Sequence, residues 1–287
     1  MAVLLFGYDV EATSALKQLE TEHGIQLPAS WDAIKMLTQI FLLKMEEVHT
    51  QLEAPCTLFI VGRVLEENID AFQKINKNKL FEIQQHTYSH LRLKTVVQEN
   101  KDGIQVFPGG TLDEIKQEVN KTSELMKKHL DVDCRGLTAP YAYYQGLSDR
   151  PDILKILHDA GIQYIRSYGR NEHDWQPVSF DIQPFWYKPQ GFPEILEFPF
   201  QGWLDVQWRE EHGWKNTEGY LNYLKSCVDL VIEKDLIWGY GSHDWSSIYE
   251  DPDMNIIKEF IRYAKDRNLP LKTYGEYYRL ASHGLHW

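Results

Sequence analysis

A chain of 287 residues, 43% hydrophobic, is long enough to bury the core of one large domain. Its formal net charge of −12 argues against a nucleic-acid partner, because phosphate binding draws on clustered Lys and Arg. Three widely spaced cysteines, Cys56, Cys134 and Cys227, each inside an apolar run, argue against a disulfide framework and for a reducing, cytoplasmic setting. The run Ala2 to Phe6 lacks a basic flank and turns polar by Asp9, too short for a signal peptide or a membrane span. It reads as the first buried strand.

In chain order, Val3 to Tyr8 is apolar without alternation, as in a strand covered on both faces, and ends in Asp9-Val10-Glu11. Ser30-Trp31-Asp32 starts a helix through Ile34, Leu37, Ile40, Phe41, Leu43 and Met45. Cys56 to Gly62 is a second strand, Val64 to Ile75 its return helix, and Phe81 to Gln85 a third strand leading into His86-Thr87-Tyr88-Ser89-His90. After Pro108-Gly109-Gly110, the tetrad Thr111-Leu112-Asp113-Glu114 reads as a capping box opening a helix with Ile115, Val119, Leu125 and Met126 on one face. Cys134 to Ala139 is a fourth strand, stopped by Pro140. Pro151 to Gly161 is a helix with proline at its start and glycine at its end, and Tyr164 to Tyr168 is a fifth strand. Residues 171 to 193 read as a long aromatic loop, Ile195 to Pro199 as a sixth strand and Trp203 to Trp214 as a second aromatic loop. Thr217 to Glu233 is helical, Leu236 to Tyr240 is the seventh strand and delivers Ser242-His243-Asp244, and Met254 to Ala264 and Tyr274 to Leu280 close with helices.

Seven strands alternating with helices predict a parallel sheet closed or nearly closed into a barrel, as one domain over 1–287. Asp9, Glu11, His86, His90, Pro140-Tyr141 and His243 all fall at or beyond C-terminal strand ends, the rim on which barrel enzymes build their sites. The four-residue spacing of His86 and His90 puts both imidazoles on one face of a helical turn, within reach of one metal ion. Residues 9 and 11 share one side of an extended strand, so Glu11 can supply a third ligand beside Asp9. Borderline donors of this kind suit Zn²⁺. Because a metalloprotease helix would carry Glu directly after its first His, and Thr87 stands there, the general base must come from elsewhere.

These segments, Tyr8-Asp9-Val10-Glu11, Thr57 to Gly62, Phe81 to His90, Ala139-Pro140-Tyr141 and His243, resemble the polysaccharide deacetylases with a NodB-homology domain, carbohydrate esterase family four, over almost the whole chain. The resemblance implies a distorted (β/α)7 barrel, His86 and His90 as metal ligands, Asp9 as catalytic base, His243 as general acid, and the backbone N–H of Tyr141 holding an oxyanion, with Thr138 and Pro140 in the same substrate-side turn. Asp174-Trp175 resembles a family Asp-Trp pair near the acid, and Trp203 and Asp205 are expected along the cleft. Two departures stand out. The family's adjacent aspartates are replaced by Asp9-Val10-Glu11, a spacing closer to imide- and ureide-hydrolysing relatives. Thr138 occupies the place of an Arg that pairs with the catalytic Asp; Arg135 faces away, so the pKa of Asp9 is expected to be less depressed unless Arg166 or another group substitutes.

The expected function is metal-dependent removal of N-acetyl groups from an N-acetylated sugar or glycan precursor. Two alternatives stay open, a cyclic imide or ureide amidohydrolase and a barrel that binds glycan without hydrolysing it. The two aromatic stretches are too apolar to lie open, so the site is expected to be built between protomers of a homo-oligomer or covered by these long loops.

Overall fold

The computed structural model describes residues 1–23, 31–100 and 103–284. The first strand, β1 (Val3–Val10), is buried along all eight residues and shows why the sequence lacks alternation. Leu4, Phe6, Tyr8 and Val10 face the helices, while Val3 and Leu5 point inward with Phe59, Tyr164, Leu196, Phe198 and Tyr274. Both faces are apolar because both are covered. Helices α1 (Ala12–His23) and α2 (Trp31–Gln51) follow; the Ser30 start expected for the second lies outside the described residues. Next come β2 (Cys56–Ile60), α3 (Gly62–Glu67), α4 (Ile69–Ile75) and β3 (Phe81–Gln85), so the single return helix expected over 64–75 is two.

An unexpected antiparallel hairpin, β4 (Val96–Asn100) with β5 (Gly103–Phe107), precedes α5 (Leu112–Leu130). That helix begins with the capping box read from Thr111 and Glu114. The strand β6 (Gly136–Tyr144) is not stopped by Pro140 but runs past it, bulging against β7 (Tyr164–Arg170) beyond α6 (Pro151–Asp159). The first aromatic stretch contains β8 (Phe185–Tyr187) and leads into β9 (Phe192–Glu197); the second contains a helix, α7 (Asp205–His212), with Trp208 buried. The chain closes with α8 (Thr217–Glu233), β10 (Ile237–His243), α9 (Asp244–Tyr249), α10 (Asn255–Asp266), β11 (Leu271–Lys272) and α11 (Tyr274–Ser282).

Seven of these strands run parallel in the order β10-β1-β2-β3-β6-β7-β9, with β8 antiparallel at one edge and β11 beside β1. This is the predicted α/β architecture with a parallel sheet. Among the described residues no ladder joins β9 to β10. Two glutamines bridge that seam instead. The amide of Gly239 donates to Gln201 Oε1 (2.8 Å) and that of Ile237 to Gln183 Oε1 (2.8 Å), while both side-chain amides donate to the Ile237 carbonyl (3.1 Å each).

A fully buried cation lies against the inner face of the sheet. Arg166 is fully buried, its guanidinium carbon 4.1 Å from the ring centre of Phe200, 4.4 Å from Phe59 and 5.0 Å from Tyr274. Its space depends on a glycine, since a Cβ at position 241 would stand 2.6 Å from Nη2. Among the described residues no helix is long and apolar enough to cross a membrane.

Candidate metal centre and catalytic site

The strand register assembles the rim. Asp9 pairs with His243 across β1 and β10, Gln85 with Leu137 across β3 and β6, and Thr138 with Arg166 across β6 and β7. Glu11, one residue past β1, and His86, one past β3, are thereby carried to the same opening.

Glu11, His86 and His90 converge, with one donor atom from each lying within 4.8 Å of the others. Glu11 Oε2 is 3.0 Å from His86 Nε2 and 2.9 Å from His90 Nε2. His86 Nδ1 donates to the Thr138 carbonyl (2.8 Å), which fixes the ring and turns Nε2 toward the cluster, the outer bond that metal-ligating imidazoles commonly make. All three side chains are buried. Two imidazole nitrogens and one carboxylate, deeply placed and aimed at one point, fit a divalent ion such as zinc.

The helical turn expected for the histidine pair is absent. Thr87 and His90 take left-handed φ values of 58° and 65°. Hydrogen bonds from elsewhere replace the helical ones. The carbonyls of Thr87 and Tyr88 accept from the amides of Gly62 and Arg63 at the start of α3 (2.9 Å each), and the Ser89 amide and hydroxyl donate to Glu118 of α5 (2.7 and 2.8 Å). Both imidazoles still meet one carboxylate.

Electrostatics within the cluster is a contest between burial and neighbours. Burial pushes Glu11 up, but His90, His243 and His86 outweigh it and hold its carboxyl well below the usual range. Burial disfavours a charged His86, yet Glu11 and Asp9 raise it overall; at His90 burial wins and the ring is shifted down.

Asp9 and His243 flank the cluster. Arg166 Nη1 donates to Asp9 Oδ1 (2.8 Å) and to Thr138 Oγ1 (3.0 Å), so the cation missing at position 138 is supplied by its register neighbour on the next strand. His243 Nδ1 lies 2.6 Å from Asp205 Oδ1, and Asp205 Oδ2 accepts from the His243 amide (2.9 Å) and the Ser242 hydroxyl (2.8 Å). Burial works against the His243 charge, but Asp205 and Glu11 push its pKa up to about 10, while Asp205 is held down at about 2 despite its burial, chiefly by His243. His243 Nε2 is 3.9 Å from Glu11 Oε1.

A cavity of about 120 Å³ lies over these groups, lined by Asp9, Glu11, His86, His90, Tyr141 and His243 among others. Thr138, Pro140, Asp174, Trp175 and Trp203 do not line it. Thr138 is fully buried and acts on the site through His86 and Arg166. Pro140 belongs to the turn that presents Tyr141. Asp174 offers its carbonyl to Arg170 Nη1 (2.8 Å), Trp175 Nε1 donates to Glu211 (3.3 Å), and Trp203 lines a separate surface groove with Phe180 and Tyr223.

Sequence reasoning placed Asp205 along the cleft, whereas the structure puts it behind His243, away from the cavity wall. Trp245, which lines the cavity and donates to Glu11 Oε1 (3.4 Å), and Arg170 were missed altogether. Trp245 had one signal, its place two residues after a strand-end histidine.

With this geometry in view, the comparisons are specific. The polysaccharide deacetylase family model matches residues 43–165. No curated protein matches the chain in sequence. A probable polysaccharide deacetylase from Pseudomonas aeruginosa PAO1 is similar in structure, with TM-score 0.67, 16% identity, and coverage of 96% of this chain and 89% of that one. The Puue allantoinase structure is similar at TM-score 0.68 and 16% identity over 98% of this chain and 91% of that one. A CE4 family pseudoenzyme from Bacillus anthracis is similar at TM-score 0.53 and 13% identity over 96% of this chain and 64% of that one. One fold therefore carries three different descriptions, and the choice among them rests on site chemistry.

Proposed function

We propose, from the match of residues 43–165 to the polysaccharide deacetylase family model, that the chain is a metal-dependent hydrolase that removes N-acetyl groups from an N-acetylated sugar or glycan precursor. The observation that carries this reading is the meeting of Glu11, His86 and His90 beside a carboxylate, Asp9, and an imidazole, His243, in one cavity. Glu11 and His243 come from β1 and β10, outside the family match, which supports reading 1–287 as one catalytic domain.

Glu11, His86 and His90 would hold the ion, most suitably Zn²⁺, and the bound ion supplies Lewis acidity toward an acyl oxygen and a water. Asp9, oriented by Arg166, takes the proton as the water oxygen bonds to the acyl carbon. The Tyr141 amide, in the cavity wall, holds the oxygen that gains charge. His243, kept protonated by Asp205, gives its proton to the nitrogen as the C–N bond breaks, so acetate and a free amine leave. Three buried, free thiols support a reducing compartment, the cytoplasm.

The second reading is opening of a cyclic imide or ureide. It is favoured by the small volume of the cavity, about 120 Å³, which suits a small ring or chain end. The deciding experiment assays zinc-loaded protein for acetate release from N-acetylglucosamine and its oligomers, beside ring opening of hydantoin, allantoin and succinimide. Acetate release supports the first reading; ring opening without it transfers the assignment to the second. No turnover of any probe by metal-loaded protein would sink both and favour a binding barrel.

A further inference from the structure

We propose that Arg170 is a positioning residue for the reaction, holding the Tyr141–Ala142 turn in the one conformation that presents the Tyr141 peptide to the substrate. This rests on the reading of Tyr141 as the oxyanion donor.

The turn arises from mismatched registers. Thr138 stands opposite Arg166 and Tyr143 opposite Tyr168, so five steps along β6 face only two along β7. The surplus residues must leave the ladder, as in a bulge, and they carry Tyr141 into the cavity wall. To do so Tyr141 adopts φ 70° and Ala142 φ 50°. Two consecutive non-glycine residues in the left-handed region are disfavoured by Cβ–carbonyl crowding and persist only where their surroundings over-determine them.

Arg170 supplies that constraint. It is buried, it lines the cavity, and its Nε donates to the carbonyls of both Tyr141 and Ala142 (3.1 Å each) while Nη1 donates to the Asp174 carbonyl (2.8 Å). One planar guanidinium thereby ties both strained peptides to β7. Its neighbour Gly169 completes the fit, because a Cβ there would lie 2.7 Å from the Cβ of Ala142. On the other side, Arg92 places its guanidinium 4.8 Å from the Tyr141 ring centre. A lysine at 170 would keep the charge but lose the planar fork.

The test compares zinc-loaded parent, Arg170→Lys and Arg170→Met. Turnover of N-acetylglucosamine oligomers is measured beside zinc content and amide hydrogen exchange of the 139–144 segment. The lysine variant guards against a folding defect in the methionine one. Arg170→Met should lower kcat by ~10²-fold, the scale of one lost oxyanion donor, with KM within about threefold of the parent. Zinc content should be unchanged, and exchange in 139–144 should accelerate about tenfold or more. Arg170→Lys should fall between. Unchanged exchange in both variants overturns the proposal, as does faster exchange with unchanged kcat in an active parent. If the parent turns over no N-acetyl substrate yet exchange accelerates in the variants, the clamp stands and the deacetylase reading falls.

Discussion

Two buried carboxylate–cation pairs stand side by side at the cavity, on the register partners Asp9 and His243 of β1 and β10, and they are built in opposite order. In Asp9–Arg166 the carboxylate lines the cavity and the guanidinium is sealed among aromatic rings behind it. In His243–Asp205 the imidazole lines the cavity and the carboxylate is sealed behind. The chemistry of the pairs is alike. Whichever member fronts the substrate decides whether that wall takes a proton or gives one.

The comparison can be broken most completely between the two pairs. His86→Ala and His90→Ala should each strip zinc and reduce hydrolysis to background, with elemental analysis as the check; retention of full metal by either variant removes the proposed centre. One step down, Asp9→Asn and His243→Ala should keep the metal and the fold while lowering kcat by ~10²-fold or more. The pH profile should distinguish the two walls. His243 donates in its protonated form, so activity is lost as pH rises through its pKa; Asp205→Asn removes the carboxylate that raises it and should move that basic limb to lower pH.

A smaller, structural effect sharpens the contrast further. Arg166→Met should leave Asp9 buried without its guanidinium partner and lower unfolding stability by ~3 kcal/mol in urea titrations, the range for half of a broken buried pair. An unchanged midpoint would mean that the sealed cation contributes nothing to the fold.

The smallest effect belongs to a buried imidazole with no carboxylate partner. His49 Nδ1 donates to the Ala54 carbonyl (2.8 Å) and its Nε2 accepts from the Tyr8 hydroxyl (2.9 Å). Burial lowers its pKa to about 4 from 6.5. The native state favours the neutral ring, so the unfolded chain binds more protons between these values. Stability is fully present above about pH 6.5 and is lost as pH falls toward 4, by ~2–3 kcal/mol. His49→Gln should flatten this dependence; an equal pH slope in parent and variant would assign the loss to other groups.

How much of this was readable in the sequence follows from the range of the interactions involved. The strands ending in Asp9, Gln85 and His243 announced themselves through apolar runs, and Thr111 and Glu114 through a local cap, because those signals lie within a few residues. The shape of the His86–His90 segment did not, since its backbone partners are Gly62, Arg63 and Glu118, distant in sequence. Thr138 looked like a loss until sheet order placed it opposite Arg166. A lone charge in the run Tyr164 to Tyr168 was a usable hint, because a buried guanidinium needs a partner. Asp205 was hidden in a stretch whose aromatic composition obscured the short helix α7. The hairpin was signalled by the apolar residues Val96-Val97 and Ile104 to Phe107 flanking a polar stretch, a signal that sequence reading passed over.

The glutamine seam has a dynamic consequence. Elsewhere around the sheet the backbone of each parallel strand is stitched to its neighbours, but on this side β10 is tied by two flexible side chains that can let go without any strand unravelling. Amide exchange at Ile237 and Gly239 is the readout of opening on this side, and the same strand ends in His243. The proposed proton donor thus ends a strand held by a backbone ladder on one side and by four side-chain hydrogen bonds on the other, so the packing of two glutamines bears on how firmly His243 is held beside Glu11.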